Sequence, residues 1–123
     1  MENKIKNFYE LEAWQEGHKL VLDIYKITAG FPLDERFGVI SQLRRASSSI
    51  TANIAEGFDR YHFNDKIRFY YQSRGSVGEV QNFMMLSCDL KFIDGQILDE
   101  IMEKCNIVRR LINGLIRSIE NQK

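Results

Sequence analysis

The sequence predicts an all-α fold: an up-down antiparallel four-helix bundle in one domain over 1–123. Three observations carry the prediction. Apolar residues recur with a 3.6-residue period over four long stretches. Proline occurs once, at Pro32. The connections between stretches are short, which makes consecutive helices antiparallel neighbours.

The helices are expected over about 10–29, 34–57, 64–91 and 95–120. In the first, Leu11, Trp14, His18, Val21, Leu22, Tyr25 and Thr28 are assigned to the core face, and Gly30-Phe31-Pro32 ends it. The second opens at Asp34 as N-cap. It carries Val39, Leu43, Ala46, Ile50, Asn53 and Gly57 at heptad-like spacing, with Gly57 as the stop. The third starts near Asn64 or Asp65 and turns Tyr70, Ser73, Val77, Val80, Met84 and Cys88 one way. The fourth is capped near Asp94 and carries Ile97, Ile101, Lys104, Val108, Leu111, Leu115 and Ile119. Gly75, Gly78 and Asn113-Gly114 interrupt helical composition, but the apolar period continues in phase across each, so both helices are read as unbroken.

A chain of 123 residues suits one domain with its own core. Composition is globular, at 44% hydrophobic and 28% charged. Seventeen basic residues balance seventeen acidic ones, which excludes a strongly basic chain as a whole. Locally, Arg36 to Arg74 holds seven basic and three acidic residues, a net of +4. Cys88 and Cys105 have neither disulfide-framework nor zinc-knuckle spacing and are read as buried free thiols. The N-terminal residues lack a signal-peptide apolar core, and no apolar run reaches the roughly 18–20 residues of a membrane span. The expectation is a cytoplasmic protein with no membrane partner.

Two helices carry a second non-solvated face. On the second, Ser48, Ser49, Ala52 and Ala55 lie opposite Leu43 and Ile50, where small side chains permit close helix approach. On the third, Ser76, Glu79, Phe83, Leu86 and Leu90 repeat at 3-4-3-4 spacing away from Val77 and Met84. Ser48, Ala52, Ala55, Ser76, Glu79, Phe83, Leu86 and Leu90 are therefore the candidate oligomer interface, with closed cyclic symmetry the default. The alternative is that a bundle simply needs wide apolar faces.

Patterns for catalysis or cofactor binding are absent. The Glu-x-x-His pair of di-iron bundles, the Walker loop and the dinucleotide fingerprint do not occur. Ser76 has no base beside it, and Gly75-Ser76-Val77-Gly78 matches a GxxG pattern only outside the stranded context it needs. His18 reads as a core histidine, and the aromatic loop around His62 is expected to cover one bundle end, a stacking platform being the alternative. No catalytic residue, metal or cofactor is expected. Arg44, Arg45, Arg60 and Arg68 are the candidate nucleic-acid contacts; for Arg44, Arg45 and Arg60, an ion-pair network with Glu56 is the competing reading.

One motif is specific. Gln42-Leu43-Arg44-Arg45-Ala46, Ser49-Ile50, Asn53-Ile54-Ala55-Glu56-Gly57 and Arg60 resemble the signature of the 23S rRNA-intervening sequence proteins. Leu11 with Trp14, Phe31-Pro32 ahead of Glu35, and Gly75-Ser76 followed by Glu79 match as well. The resemblance implies a four-helix bundle assembled as a ring-shaped homopentamer, without established enzymatic activity. The family is similar to the accessory protein of diversity-generating retroelements, a basic pentamer that binds nucleic acid and a reverse transcriptase; this chain is neutral instead. Two functions compete: an adaptor that contacts RNA or a nucleic-acid enzyme through its arginines, and a protein-interaction scaffold with no nucleic-acid contact.

Overall fold

The computed structural model describes residues 4–122. It contains α1 (Glu12–Thr28), α2 (Val39–Asp59), α3 (Phe63–Asp89) and α4 (Gly95–Gln122), with short 3-10 turns at Phe8–Glu10 and Leu33–Glu35. Among the described residues there is no strand. The helices close a ring of contacts, each packing on its chain neighbours and α1 on α4. Along α2 and α3 the paired residues run in opposite numerical order: Arg45 meets Glu79, Ser49 meets Ser76, and Ile50 meets Ser73.

One core fills the space between the helices. Leu20, Ile24, Leu43, Ile50, Ile54, Val77, Val80, Met84, Val108 and Ile112 are almost fully excluded from water. On the expected core faces Leu43, Ile50, Val77, Met84 and Val108 are buried, while Trp14 and Leu115 are half-buried at the rim.

Both suspect helices are continuous, α3 through Gly75 and Gly78 and α4 through Asn113-Gly114. Asp94 caps α4, its Oδ1 accepting from the Ile97 N–H at 2.9 Å. The end of α3 is a double backbone lock. Lys91 takes φ 68°, its N–H donates to the Cys88 carbonyl, and the Phe92 N–H donates to the Ser87 carbonyl. That is the Schellman pattern, built on lysine where glycine is usual.

Four expectations need correction. Asp34 does not cap α2. The chain after Pro32 makes turns through Gly38, and α2 begins at Val39, whose N–H donates to Glu35 Oε1 at 3.3 Å. Gly57 does not stop α2, which runs on to Asp59. The glycine is there because α3 is close: a Cβ at residue 57 would lie 2.8 Å from Tyr70 Cε1 and 3.1 Å from Phe69 Cβ.

The core face of α1 is rotated from the expected one. Ala13, Gly17, Leu20, Ile24 and Thr28 are buried, while His18, Leu22 and Tyr25 are exposed. Gly17 explains the choice: a Cβ there would lie 3.1 Å from Thr51 Cγ2, so the smallest residue marks where α1 nears α2. The face of α4 also shifts, to Ile101, Cys105, Val108, Ile112, Ile116 and Ile119, leaving Lys104 exposed on Asp23 at 2.7 Å.

Candidate functional site

The four arginines expected on RNA do not form one cluster: Arg44 and Arg45 turn to different sides of α2, while Arg60 and Arg68 flank the Phe69 ring, 4.8 and 5.2 Å from its centre. Arg44 lies against α1. Its Nε donates to Thr28 Oγ1 at 2.9 Å, and its guanidinium sits 4.5 Å from the centre of the Tyr25 ring. Arg45 turns the other way, donating to Gln42 and pairing with Glu79 of α3 at 2.7 Å. Arg60 pairs with Glu56 at 3.1 Å and lies over Phe69. Arg68 is one turn into α3, with Asp65 at 4.0 Å, the loosest of these pairs. Arg44, Arg45, Glu56 and Arg60 are thus separate pairs and not one network. The ion pairs are exposed, where each contributes about 0–1 kcal/mol.

Of the candidate interface residues, Ser76 is buried inside the chain, its hydroxyl 3.0 Å from Ser49 Oγ and 3.2 Å from the Gln72 carbonyl. Glu79 is held by Arg45, and Phe83 packs half-buried on the core. Ala52, Leu86 and Leu90 are exposed, the two leucines at 40% and 47%, while Ser48 and Ala55 are half-exposed. Met85 adds another exposed apolar side chain one residue before Leu86.

The histidines do not meet. His18 stacks on Trp14 with centroids 4.7 Å apart at the surface, and His62 precedes α3 edge-on to Tyr61. Among the described residues no group of three or more His, Cys, Asp or Glu side chains is placed to hold a metal ion. Nor is any helix long and apolar enough to cross a membrane.

The perturbed groups are structural. Burial pushes the Tyr70 phenol up to about 12, with the charge of Asp59 adding to the effect. Burial likewise raises the Cys105 thiol to about 12, with the charge of Arg109 opposing. Burial lowers the Lys66 ammonium, with Asp59 opposing, and its Nζ donates to the Phe58 carbonyl at 2.6 Å and to the Gly57 carbonyl at 3.4 Å. Lys66 thus satisfies carbonyls at the open end of α2.

Sequence reasoning missed a second set of arginines. Arg74 Nη1 donates to Asn113 Oδ1 at 2.9 Å, and its guanidinium lies 5.0 Å from the Tyr71 ring centre. Arg109 donates to Asn106 Oδ1 at 3.0 Å and to Gln81 Oε1. Arg110 and Arg117 are exposed on the same helix. The available signal was charge spacing: no Asp or Glu occurs between Glu103 and Glu120, or between Asp65 and Glu79.

A protein-family model described as 23S rRNA-intervening sequence protein matches residues 9–114. Among solved structures, the chain is similar to a protein of unknown function from the S23 ribosomal protein family of Bacteroides thetaiotaomicron. The TM-score is 0.75 at 19% identity, covering 85% of this chain and 97% of that one. At that identity the likeness speaks for the fold alone. Among curated proteins nothing matches. With the helix-two motif embedded in this fold and the family match spanning most of its length, the chain belongs to the 23S rRNA-intervening sequence protein family.

Proposed function

We propose that this chain is a non-enzymatic adaptor: an up-down four-helix bundle that associates with its own copies and works in the cytoplasm beside RNA or a nucleic-acid enzyme. The ring-shaped homopentamer is the assembly that the family resemblance implies. The observation that carries self-association is the outer face of α2 and α3. Exposed Ala52 and half-exposed Ser48 and Ala55 lie on α2, and Leu86 of α3 and Leu90 at its C-cap are exposed. Small residues allow another helix close, and a neighbouring subunit takes the leucines out of water, at about 25 cal/mol per Å² of apolar surface.

Light scattering on wild type and Leu86→Asp tests this. The wild type is expected as a multimer, and the variant at lower mass. Leu86 is a cleaner position than Phe83, whose ring packs on the core. A wild-type monomer at micromolar concentration refutes self-association.

The protein-interaction scaffold is the second reading. One observation favours it: Arg44, Arg45 and Arg60 each have partners within the chain. Recovery of the protein from cells followed by sequencing of bound RNA separates the two. Reproducible RNA supports the adaptor, and protein partners without RNA support the scaffold.

A further inference from the structure

The α3–α4 face has a charge pattern that packing within the chain does not explain. Lys66 to Gly78 holds three basic residues and no acidic one; Lys104 to Ile119 holds four and none. The fold lays these stretches side by side, because Arg74 reaches Asn113 while Gln81 reaches Asn106. Three of the seven cations have roles: Lys66 on the α2 carbonyls, Lys104 on Asp23, Arg68 beside Asp65.

Arg74, Arg109, Arg110 and Arg117 remain. Among the described residues none of the four has a carboxylate within ion-pair distance. Arg74 and Arg109 are instead held by the neutral side-chain amides of Asn113, Asn106 and Gln81. An amide orients a guanidinium without neutralising it, and each of these arginines keeps donors unspent out of five. The α4 dipole accounts for little of this, since its effect fades beyond the last turn and Arg109 and Arg110 lie well inside a helix ending at Gln122.

Two glycines add an independent observation. Gly78 follows Arg74 by four residues, and Gly114 falls between Arg110 and Arg117. Each costs about 1 kcal/mol relative to alanine in a helix interior. At Gly57 and Gly17 close helix packing explains the glycine; at Gly78 a Cβ would meet nothing within 4 Å, and at Gly114 only the tip of Arg117 at 3.9 Å. Neither is required by contacts inside the chain. Glycine among uncompensated arginines leaves room for a sugar-phosphate backbone to approach the helix.

We propose that the α3–α4 face formed by Arg74, Arg109, Arg110 and Arg117 binds the phosphate backbone of single-stranded RNA. Arg109 to Arg117 spans about 12 Å at 1.5 Å per residue, long enough for more than one phosphate of a single strand to lie along α4. The exposed Tyr71 ring offers a base a stacking surface beside Arg74. The ligand class rests on the adaptor reading above; the surface differs from the α2 arginines.

The test is fluorescence anisotropy of a labelled oligouridine RNA with intact protein over a salt series, with light scattering and circular dichroism on every variant. Four phosphate contacts predict a log–log salt slope of about −3, at roughly 0.7 per phosphate on a single strand. Arg110→Glu with Arg117→Glu is expected to weaken binding roughly tenfold or more and to flatten the slope by about 1.4. Arg45→Gln with Arg68→Glu is expected to leave both nearly unchanged. If the α3–α4 variant, folded and of wild-type mass, binds as wild type, this face is refuted, and the adaptor survives as long as wild type binds RNA. If wild type binds no RNA at low salt, the RNA reading itself falls.

Discussion

Gly57 gives the sharpest test of the packing argument, because the same added methyl group is predicted to act oppositely at Gly78. Alanine at either position gains about 1 kcal/mol of helix propensity. At Gly57 the new Cβ would sit 2.8 Å from Tyr70 Cε1, 3.0 Å from Cδ1 and 3.1 Å from Phe69 Cβ. The Tyr70 ring is 3% exposed and has no open side to move into. Either α2 and α3 separate or the ring leaves its rotamer, and overpacking of that kind costs about 1–3 kcal/mol. The net expectation is a loss of up to about 2 kcal/mol at Gly57 and a gain of about 1 kcal/mol at Gly78. Urea unfolding followed by circular dichroism, at two protein concentrations to separate folding from assembly, reads both. The midpoints are expected to move in opposite directions with unchanged slope. A Gly57→Ala protein more stable than wild type would refute the close approach of α3 to Gly57.

Ser73→Ala removes a buried hydrogen bond to the Ile50 carbonyl of 2.7 Å and is expected to cost about 0.5–1.5 kcal/mol in the same unfolding experiment. Lys91→Gly relieves a left-handed residue and is expected to raise the denaturation midpoint, by up to about 1 kcal/mol of stability; an unchanged or lower midpoint would contradict the lock at the end of α3. In alkali, Tyr70 and Cys105 keep their protons in the folded state after the unfolded chain has lost them. The contribution of these two groups to stability is therefore whole below about pH 9 and declines as pH rises towards about 12, by at most about 1.4 kcal/mol per pH unit for each group. Thiol titration of native protein should label half-buried Cys88 well before buried Cys105; equal rates would contradict the burial.

What the sequence determined by itself is local. Four helices, the Asp94 cap and the continuity of α3 and α4 across their glycines follow from period and capping chemistry, which act within a few residues. The helix-two motif likewise named the family without any coordinates. Tertiary structure decided what depends on a neighbour. Two stripes compete along α1, one with Trp14, His18 and Tyr25, the other with Ala13, Gly17, Leu20 and Ile24; both are helical in spacing. The second is buried because Gly17 permits approach to Thr51, and that partner lies 34 residues away in sequence. Gly57 looked like a stop because glycine ends helices, but the Tyr70 ring beside it makes it a contact. Charge divided in the same way. The absence of acidic residues in two stretches of α3 and α4 was legible in the chain. Their meeting on one face, with Arg74 on Asn113 and Arg109 on Gln81, required the helices to pack, because periodicity describes a helix's surface and only packing selects which surfaces meet.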